Sequence, residues 1–234
     1  IGPEIGFGHA VGNFMDEPVL ILKTSQGNRS LSWDFLTPGS KQFEYKGKIY
    51  AGYKETPLSW DKGTIPKPIN WYAGKQYDDC IEAAQEVLKN FDKEFPHWKG
   101  RGYEIEGFAW WQGDKDRYVE AHAVNYEKNL VRLIKTLRAE FNAPDAMFVV
   151  TTLGQTAKDA QPSNDKLILD AQLSVDGATG NYPEFKGNVS TVYTHPLSQG
   201  GASNSHYNGN AQTYMDVGLA MGEAMVRLLE GIDE

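Results

Sequence analysis

Cysteine is almost absent from this chain, since Cys80 is the single cysteine among 234 residues. An intrachain disulfide is therefore excluded, and so is a metal site that needs two or more thiolates. No apolar run approaches the roughly 20 residues that a membrane-spanning helix requires. The compartment stays open, although a secreted or periplasmic location is favoured.

Clustered positive charge is also lacking. The net charge is −8, and the lysines and arginines are scattered along the chain. A nucleic-acid surface needs a basic patch or stripe, so nucleic acid is not expected as a partner. The acidic balance does not favour a polyanionic substrate, whereas a small neutral or acetylated sugar is compatible with it.

The sequence begins with Ile1 and has neither an initiator methionine nor a signal peptide. We interpret this as processing, or as an amino-terminal part that is not included. Hydrophobic residues make up 40% and charged residues 23%, which is typical of a globular protein. We predict a single domain over residues 1–234 with a well-buried core.

Apolar segments and amphipathic segments alternate along the chain. Strands are predicted at residues 18–25, 106–113, 146–154 and 188–195. Four helices are predicted: one at residues 77–95, one at residues 118–141, one that begins after the capping residue Ser163, and one at about residues 210–229. Near-continuous apolar runs suit strands that are covered on both faces, so the pattern predicts an α/β fold with a central parallel sheet.

Residues 36–73 interrupt the first crossover without helical or strand periodicity. Loops of this length usually form functional rims or are disordered. Aromatic side chains argue against disorder because they bury large areas. Among those of this segment are Tyr45, Tyr50, Tyr53, Trp60, Trp71 and Tyr72.

Polar residues follow the predicted strands, at the carboxyl ends where open parallel sheets bind ligands. Gln112 and Gly113 could offer an amide donor to an oxyanion, although a simple polar turn explains them as well. The turn around Gly27 could donate backbone N–H groups, and Arg29 could contact a sugar hydroxyl or carboxylate.

His206 has the setting of a general base, in a polar loop directly before the last predicted helix. A surface histidine beside a helix cap is the alternative interpretation, and His195 is the second candidate for the base. His122 is predicted to be solvated. Ser25 and Ser30 lie near the predicted crevice, but neither occupies the strained elbow expected of an activated serine.

Four motifs occur in a distinctive order: GPEIGFG from Gly2, LKTSQG from Leu22, GFAWWQG from Gly107 and HYN from His206. Together they resemble the sialate O-acetylesterase domain, a branch of the SGNH hydrolases related to acetylxylan esterases. The resemblance covers essentially the whole chain, and residues 36–73 are its least familiar part. It implies a flavodoxin-like three-layer α/β/α sandwich and serine-type hydrolysis of O-acetyl groups on a sugar or glycan, without metal or organic cofactor.

The resemblance also implies roles for individual residues. It makes Gly27 and Gln112 oxyanion donors and His206 the catalytic base. Asp114 is the implied acid that orients His206, with Asp116 as the second candidate.

Two departures from the family concern the acid and the substrate loop. Ser203 stands where many relatives have the aspartate, and Asn28 replaces a glycine that is frequent in the family. Asn28, Arg29 and Trp111 are predicted to bind substrate.

The family nucleophile lies in a Gly-Gln-Ser-Asn turn after a strand that precedes the GPE motif. Residues 1–234 contain neither feature, so we expect the serine and the first, central strand to lie upstream of Ile1 or on another chain. The alternative is a non-catalytic carbohydrate-binding or structural protein on a degenerate esterase fold, whose aromatic segment stacks on sugar rings.

Overall fold

The computed structural model describes residues 2–201 and 203–232, with the side chains of residues 203–205 left aside. The helices and strands, in chain order, are α1 (Glu4–Phe14), β1 (Phe43–Tyr45), β2 (Lys48–Tyr50), β3 (Ser59–Asp61), α2 (Lys75–Lys89), α3 (Phe91–Glu94), β4 (Gly107–Trp111), α4 (Glu120–Glu140), β5 (Met147–Thr151), α5 (Asn164–Ser174), β6 (Val189–Val192) and α6 (Ala211–Glu230). Short 3₁₀ segments occur at Pro96–Trp98, Asp116–Tyr118, Pro183–Phe185 and His195–Leu197. The loop Ser203–Gly209 has left-handed backbone angles at His206, Tyr207 and Asn208. None of these helices is both long and apolar enough to cross a membrane.

Strands β4, β5 and β6 form a parallel sheet in that order. Phe108 of β4 lies opposite Phe148 of β5, which in turn lies opposite Val189 of β6. The strands predicted at 106–113, 146–154 and 188–195 are therefore confirmed. Strand β5 is central among them because it is bonded on both sides.

Helices cover both faces of this sheet. Phe148 and Val150 of β5 belong to one core cluster, together with apolar side chains of α2, α4 and α5. Val149 points to the opposite face and clusters with side chains of α1 and α6. Alternate residues of one strand thus fill two separate cores, as expected for a strand buried between two helical layers. The predicted α/β class with a central parallel sheet is confirmed.

Residues 18–25, predicted to be a strand, form neither strand nor helix. Their apolar side chains, Val19, Leu20, Ile21 and Leu22, are 37–42% exposed. A strand needs a hydrogen-bonded neighbour, and β4 pairs only with β5 in the part of the chain that the structure describes. The second edge of β4 is therefore unpaired there, and residues 18–25 make no backbone hydrogen bond to it.

The position of this segment is defined by contacts to both helical layers. Ile21 lies beside Gly8 of α1, and the thiol of Cys80 in α2 donates to the Thr24 carbonyl oxygen (3.0 Å). Since α1 belongs to the α6 layer and α2 to the α4 and α5 layer, residues 21–24 lie at the level of the sheet.

Aromatic contacts show on which side of the sheet the segment lies. The ring of Phe35 contacts Tyr77 of α2 and Trp110 of β4, with centroid distances of 5.6 and 5.1 Å. Helix α2, and with it residues 21–24, is therefore on the β4 side of the sheet.

Glycines allow α1 and α6 to approach closely. A Cβ atom at Gly218 would overlap the carbonyl oxygen of Pro3, and one at Gly6 would lie 2.5 Å from the Met215 carbonyl oxygen. Such distances exclude any larger residue without a shift of the helices. Helix α1 is thus held at a fixed separation from α6.

Residues 36–73 contain a small antiparallel sheet, β1–β2–β3, in which Phe43 pairs with Tyr50. Asp78 of α2 fixes the segment, since its carboxylate accepts hydrogen bonds from Tyr53 and from Tyr72 (2.9 Å). The aromatic residues of the segment therefore pack against the domain.

Candidate active site

Gln112, which directly follows β4, has its amide fixed by several partners. Its Nε2 donates to the Arg29 carbonyl oxygen (2.9 Å) and to Asp116 Oδ2 (2.8 Å). The hydroxyl of Tyr126 in α4 lies 3.0 Å from Oε1 and 2.8 Å from the Gln112 carbonyl oxygen. Both amide hydrogens are therefore engaged by the protein, and the amide group is held in one orientation.

Asp116 joins the end of β4 to the turn that contains Gly27. Its carboxylate is fully buried and accepts hydrogen bonds from the backbone N–H groups of Leu31 (2.8 Å) and Ser32 (2.9 Å), besides the bond from Gln112. Burial raises the pKa of Asp116, and these hydrogen bonds partly offset the effect. The carboxylate thereby sets where residues 29–32 lie relative to Gln112.

The turn at Gly27 and Asn28 is exposed. Asn28 has φ 57°, a left-handed conformation that asparagine tolerates better than most residues, which explains how it can replace a glycine. Within the described residues, the backbone N–H groups of Gly27 and Asn28 donate no hydrogen bond. They are therefore available to a ligand.

Trp111 connects β4 to the loop that carries His206. Its Nε1 donates to the Thr152 carbonyl oxygen (2.9 Å), and its ring stacks on Tyr207 with centroids 5.9 Å apart. Tyr207 is buried, and its hydroxyl donates to the Leu153 carbonyl oxygen. The loop is thus attached to the carboxyl ends of β4 and β5, while His206 itself is exposed with φ 50°.

Asp114, the predicted acid, is bound by an arginine of the same turn. Burial chiefly raises the pKa of Tyr207, and the charges of Tyr214 and Asp114 add to the effect. Arg117 holds this carboxylate through its Nε (2.8 Å) and contacts Asp165 through Nη1 (3.1 Å). Asp114 is therefore held in position by Arg117.

Three other predicted candidates have different surroundings. Ser30 is buried, and its hydroxyl donates to Asp34 Oδ2 (3.0 Å), whereas Ser25 is exposed. Nδ1 of His195 donates a hydrogen bond to the Gly154 carbonyl oxygen (2.7 Å). The side chain of Ser203 lies outside the described residues.

His122 is buried, with 2% of its surface exposed, so the prediction that it is solvated is wrong. The cause is the small antiparallel sheet, whose Tyr50 contacts the imidazole edge-on at a centroid distance of 5.8 Å. Burial lowers the pKa of His122 to about 4, although Asp34 raises it in part and Lys115 lowers it further.

We expect this buried histidine to make stability depend on pH. The unfolded chain, with an ordinary histidine pKa of 6.5, takes up the proton before the folded chain does. The free energy of unfolding should therefore fall by about 3 kcal/mol as the pH drops from 6.5 to 4, and be unaffected by His122 above that range. Urea unfolding of the wild type and of His122→Phe at several pH values measures the effect, and equal slopes in the two proteins would contradict it.

Family comparison identifies the chain. A family profile described as "Carbohydrate esterase, sialic acid-specific acetylesterase" matches residues 1–227. The chain belongs to this family. The resemblance inferred from the four motifs is confirmed, and membership supports an esterase that acts on acetylated sugars.

A structural comparison gives a partial match. A protein of Arabidopsis thaliana with an X-ray structure at 1.6 Å is similar with a TM-score of 0.44 and 21% sequence identity. The match covers 64% of this chain and 52% of that protein, so this chain spans about half the length of the matched structure. Comparison with curated proteins gave no match.

Several residues of the site escaped the sequence analysis. The sequence analysis assigned no role to Tyr126, and it named Asp116 only as the second candidate for the acid that orients His206. Tyr207 and Arg117 had been assigned no function. The aromatic residue directly after His206 was a usable signal, because a buried tyrosine next to an exposed histidine can anchor its loop.

Proposed function

We propose that this chain is the larger part of a carbohydrate esterase that removes O-acetyl groups from a sugar or glycan by serine-type hydrolysis. The nucleophilic serine is carried by a further β-strand, which precedes residue 1 or belongs to a second chain and enters between residues 18–25 and β4. Family membership supports the ester chemistry. The main support for the strand is the pair of unpaired backbone segments at the level of the sheet.

A parallel strand in this position would bond to both neighbours. Backbone N–H and C=O groups of β4 and of residues 18–25 would then be paired, as buried backbone groups normally are. The strand would be apolar, because helical layers lie on both sides of it, and it would cover Val19–Leu22. Its carboxyl end would lie beside Gln112 and the Gly27 turn.

The proposed reaction assigns a task to each group. The serine oxygen attacks the acetyl carbon while His206, oriented by Asp114, takes the serine proton. His206 then protonates the leaving sugar oxygen, and a water molecule that it activates releases acetate and restores the serine. The free N–H groups of Gly27 and Asn28 stabilise the oxyanion.

Gln112 contributes to the oxyanion site under one condition. Both of its amide hydrogens are engaged, one by Arg29 and one by Asp116, so donation to the oxyanion requires release of the bond to Arg29. Trp111 supports the base by holding Tyr207.

Hydrolysis by the complete gene product tests the proposal. It should release acetate from O-acetylated sialic acid and hydrolyse p-nitrophenyl acetate, and replacing the serine after the added strand with alanine should abolish both activities. The serine variant should unfold at the same temperature as the wild type, which serves as the control. A gene that encodes no serine turn upstream of residue 1, with no partner chain that co-purifies, would end this mechanism.

Both amide hydrogens of Gln112 are already bonded within the protein, and this favours a second candidate, a non-catalytic carbohydrate-binding protein. In that case no oxyanion donor is needed from Gln112, and its bonds only stiffen the site. Glycan binding that survives His206→Ala, in a complete protein without esterase activity, distinguishes this candidate from the enzyme.

A further inference from the structure

A residue of α4, Tyr126, joins the Gln112 amide to the apolar core. Its ring is fully buried in the cluster formed by β5 with helices α2, α4 and α5. Its hydroxyl lies 3.0 Å from Oε1 of Gln112 and 2.8 Å from the carbonyl oxygen of the same residue. A tyrosine hydroxyl has one proton to donate, so its acceptor depends on what else binds these two oxygens.

Gln172 of α5 supplies the other donor. Its Nε2 donates to the Gln112 carbonyl oxygen (2.8 Å), whereas Oε1 has no donor besides Tyr126 in the described part of the chain. The tyrosine proton is therefore directed to Oε1, while Trp110 Nε1 donates to the hydroxyl oxygen (3.3 Å). Burial chiefly raises the pKa of Tyr126, and the Asp116 charge adds to the effect, so the hydroxyl keeps its proton.

These contacts allow the amide a single orientation. If the amide were turned over, Oε1 would face the Asp116 carboxylate and the Arg29 carbonyl oxygen, which are acceptors without a hydrogen. The NH₂ group would then face the Tyr126 hydroxyl, whose oxygen already accepts from Trp110. Acceptors on one side and a donor on the other thus hold Nε2 towards Arg29 and Asp116.

The two hydrogen bonds of Nε2 differ in how readily they exchange. Asp116 is a fully buried carboxylate, and a charge-assisted bond is about twice as strong as a neutral one. Arg29 offers a neutral carbonyl oxygen in a partly exposed residue, so water can take the place of the amide there. An ester oxygen with developing negative charge is a stronger acceptor than this carbonyl. The hydrogen bonded to Arg29 is therefore the one that a reacting ester can capture.

We propose that Tyr126 is a positioning residue for the oxyanion site. While the bond to Arg29 is exchanged for a bond to the reacting ester, Tyr126 and Asp116 hold the rest of the amide, so Nε2 keeps its direction. Without the tyrosine hydroxyl, Oε1 loses its donor and the amide can turn about its terminal torsion. The effect on rate rests on the proposed esterase function, whereas the restraint on the amide can be measured without turnover.

A double-mutant cycle of Tyr126 and Gln112 tests the effect on rate. In the complete protein, Tyr126→Phe should lower kcat for p-nitrophenyl acetate about tenfold and change KM by less than about twofold, because the oxyanion forms only in the transition state. Gln112→Ala should lower kcat about 100-fold. The double variant should be no slower than Gln112→Ala, since the tyrosine acts through the glutamine. A double variant that loses the product of both effects overturns the inference.

Tyr182→Phe provides a matched control. The Tyr182 hydroxyl donates to Glu127 of the same helix α4 (2.7 Å), so this variant also removes a hydroxyl that is bonded to another side chain. Its bond leads to Glu127 rather than to Gln112, and kcat should therefore equal that of the wild type. A loss as large as that in Tyr126→Phe would show that the hydroxyl has only a structural role.

Should Tyr126→Phe fail to fold, Gln172→Leu decides. Oε1 of Gln172 is buried without a partner, so leucine removes only the bond from Nε2. The Gln112 carbonyl oxygen then competes with Oε1 for the tyrosine proton, and kcat should fall severalfold. An unchanged kcat in Gln172→Leu contradicts the inference.

Hydrogen exchange at the Gln112 side-chain amide measures the restraint without substrate. The NH₂ signals are followed by NMR in the isotope-labelled complete protein and are identified by their absence from Gln112→Ala. Exchange with water should be about tenfold faster in Tyr126→Phe than in the wild type, and unchanged in Tyr182→Phe. Equal exchange in the wild type and Tyr126→Phe overturns the inference, whether or not the protein is an esterase.

Failure of the inference and failure of the proposed function give different results. A complete protein that does not hydrolyse p-nitrophenyl acetate contradicts the esterase, while faster exchange in Tyr126→Phe still supports the restraint on the amide. An active esterase whose kcat is unchanged in Gln112→Ala contradicts the role of Tyr126 and leaves the esterase intact.

Discussion

Replacing Asp116 with alanine is expected to lower the free energy of unfolding by about 4 kcal/mol. The carboxylate is fully buried and accepts hydrogen bonds from Leu31, Ser32 and Gln112. Its removal leaves three buried N–H groups without an acceptor. In the unfolded chain each of these groups is hydrogen-bonded to water, so the loss destabilises the folded state. Urea unfolding monitored by tryptophan fluorescence measures the change.

Two variants serve as controls for this result. Asp116→Asn retains the size of the side chain and one acceptor oxygen, so we expect about half of the loss. Asp114→Asn changes a carboxylate that is 37% exposed and should cost less than about 1 kcal/mol. A loss in Asp116→Ala as small as that in Asp114→Asn would show that the buried carboxylate does not hold the turn in place.

Replacing His206 with alanine is expected to lower kcat of the complete esterase about 1,000-fold or more. Without an imidazole the serine keeps its proton, and the leaving sugar oxygen has no acid to protonate it. KM should change little, because His206 acts on the reacting atoms rather than on the rest of the sugar. Steady-state hydrolysis of an O-acetylated sugar measures both constants.

His195→Ala is the matched control for the base. His195 donates to the Gly154 carbonyl oxygen and stacks on Tyr193, so its loss should change kcat only severalfold. Thermal unfolding should be unchanged in His206→Ala, because the side chain is exposed. A large loss of kcat in His195→Ala combined with an active His206→Ala would transfer the role of base to His195.

Strand β5 shows why most of the sheet could be predicted from the sequence. The run at residues 147–150 is apolar throughout, and a segment buried on both faces needs no other signal. Residues 18–25 have the same apolar character but form no strand, because a strand also requires a neighbour to bond with. The sequence of a segment reports its hydrophobicity, whereas pairing depends on other segments.

For the candidate site, the sequence predicted which residues lie at the edge of the sheet but not how their side chains are oriented. Gln112 and Arg29 were predicted to share one edge of the sheet because each follows an apolar run, and a hydrogen bond joins them in the structure. The direction of the Gln112 amide was not predictable, because it depends on Asp116 and on a tyrosine one helix away. The burial of His122 depends likewise on a tyrosine of a distant hairpin. Contacts between separate elements decide such features, and periodicity does not encode them.

The glycines between α1 and α6 have an effect well beyond their own contacts. Helix α6 is packed against β5, and α1 leads directly into residues 18–25. A bulkier side chain at Gly6, Gly218 or Gly222 would push α1 outwards and carry Ile21 with it. These three positions therefore set the width available beside β4, so residues far from any reacting atom determine whether one more strand can fit.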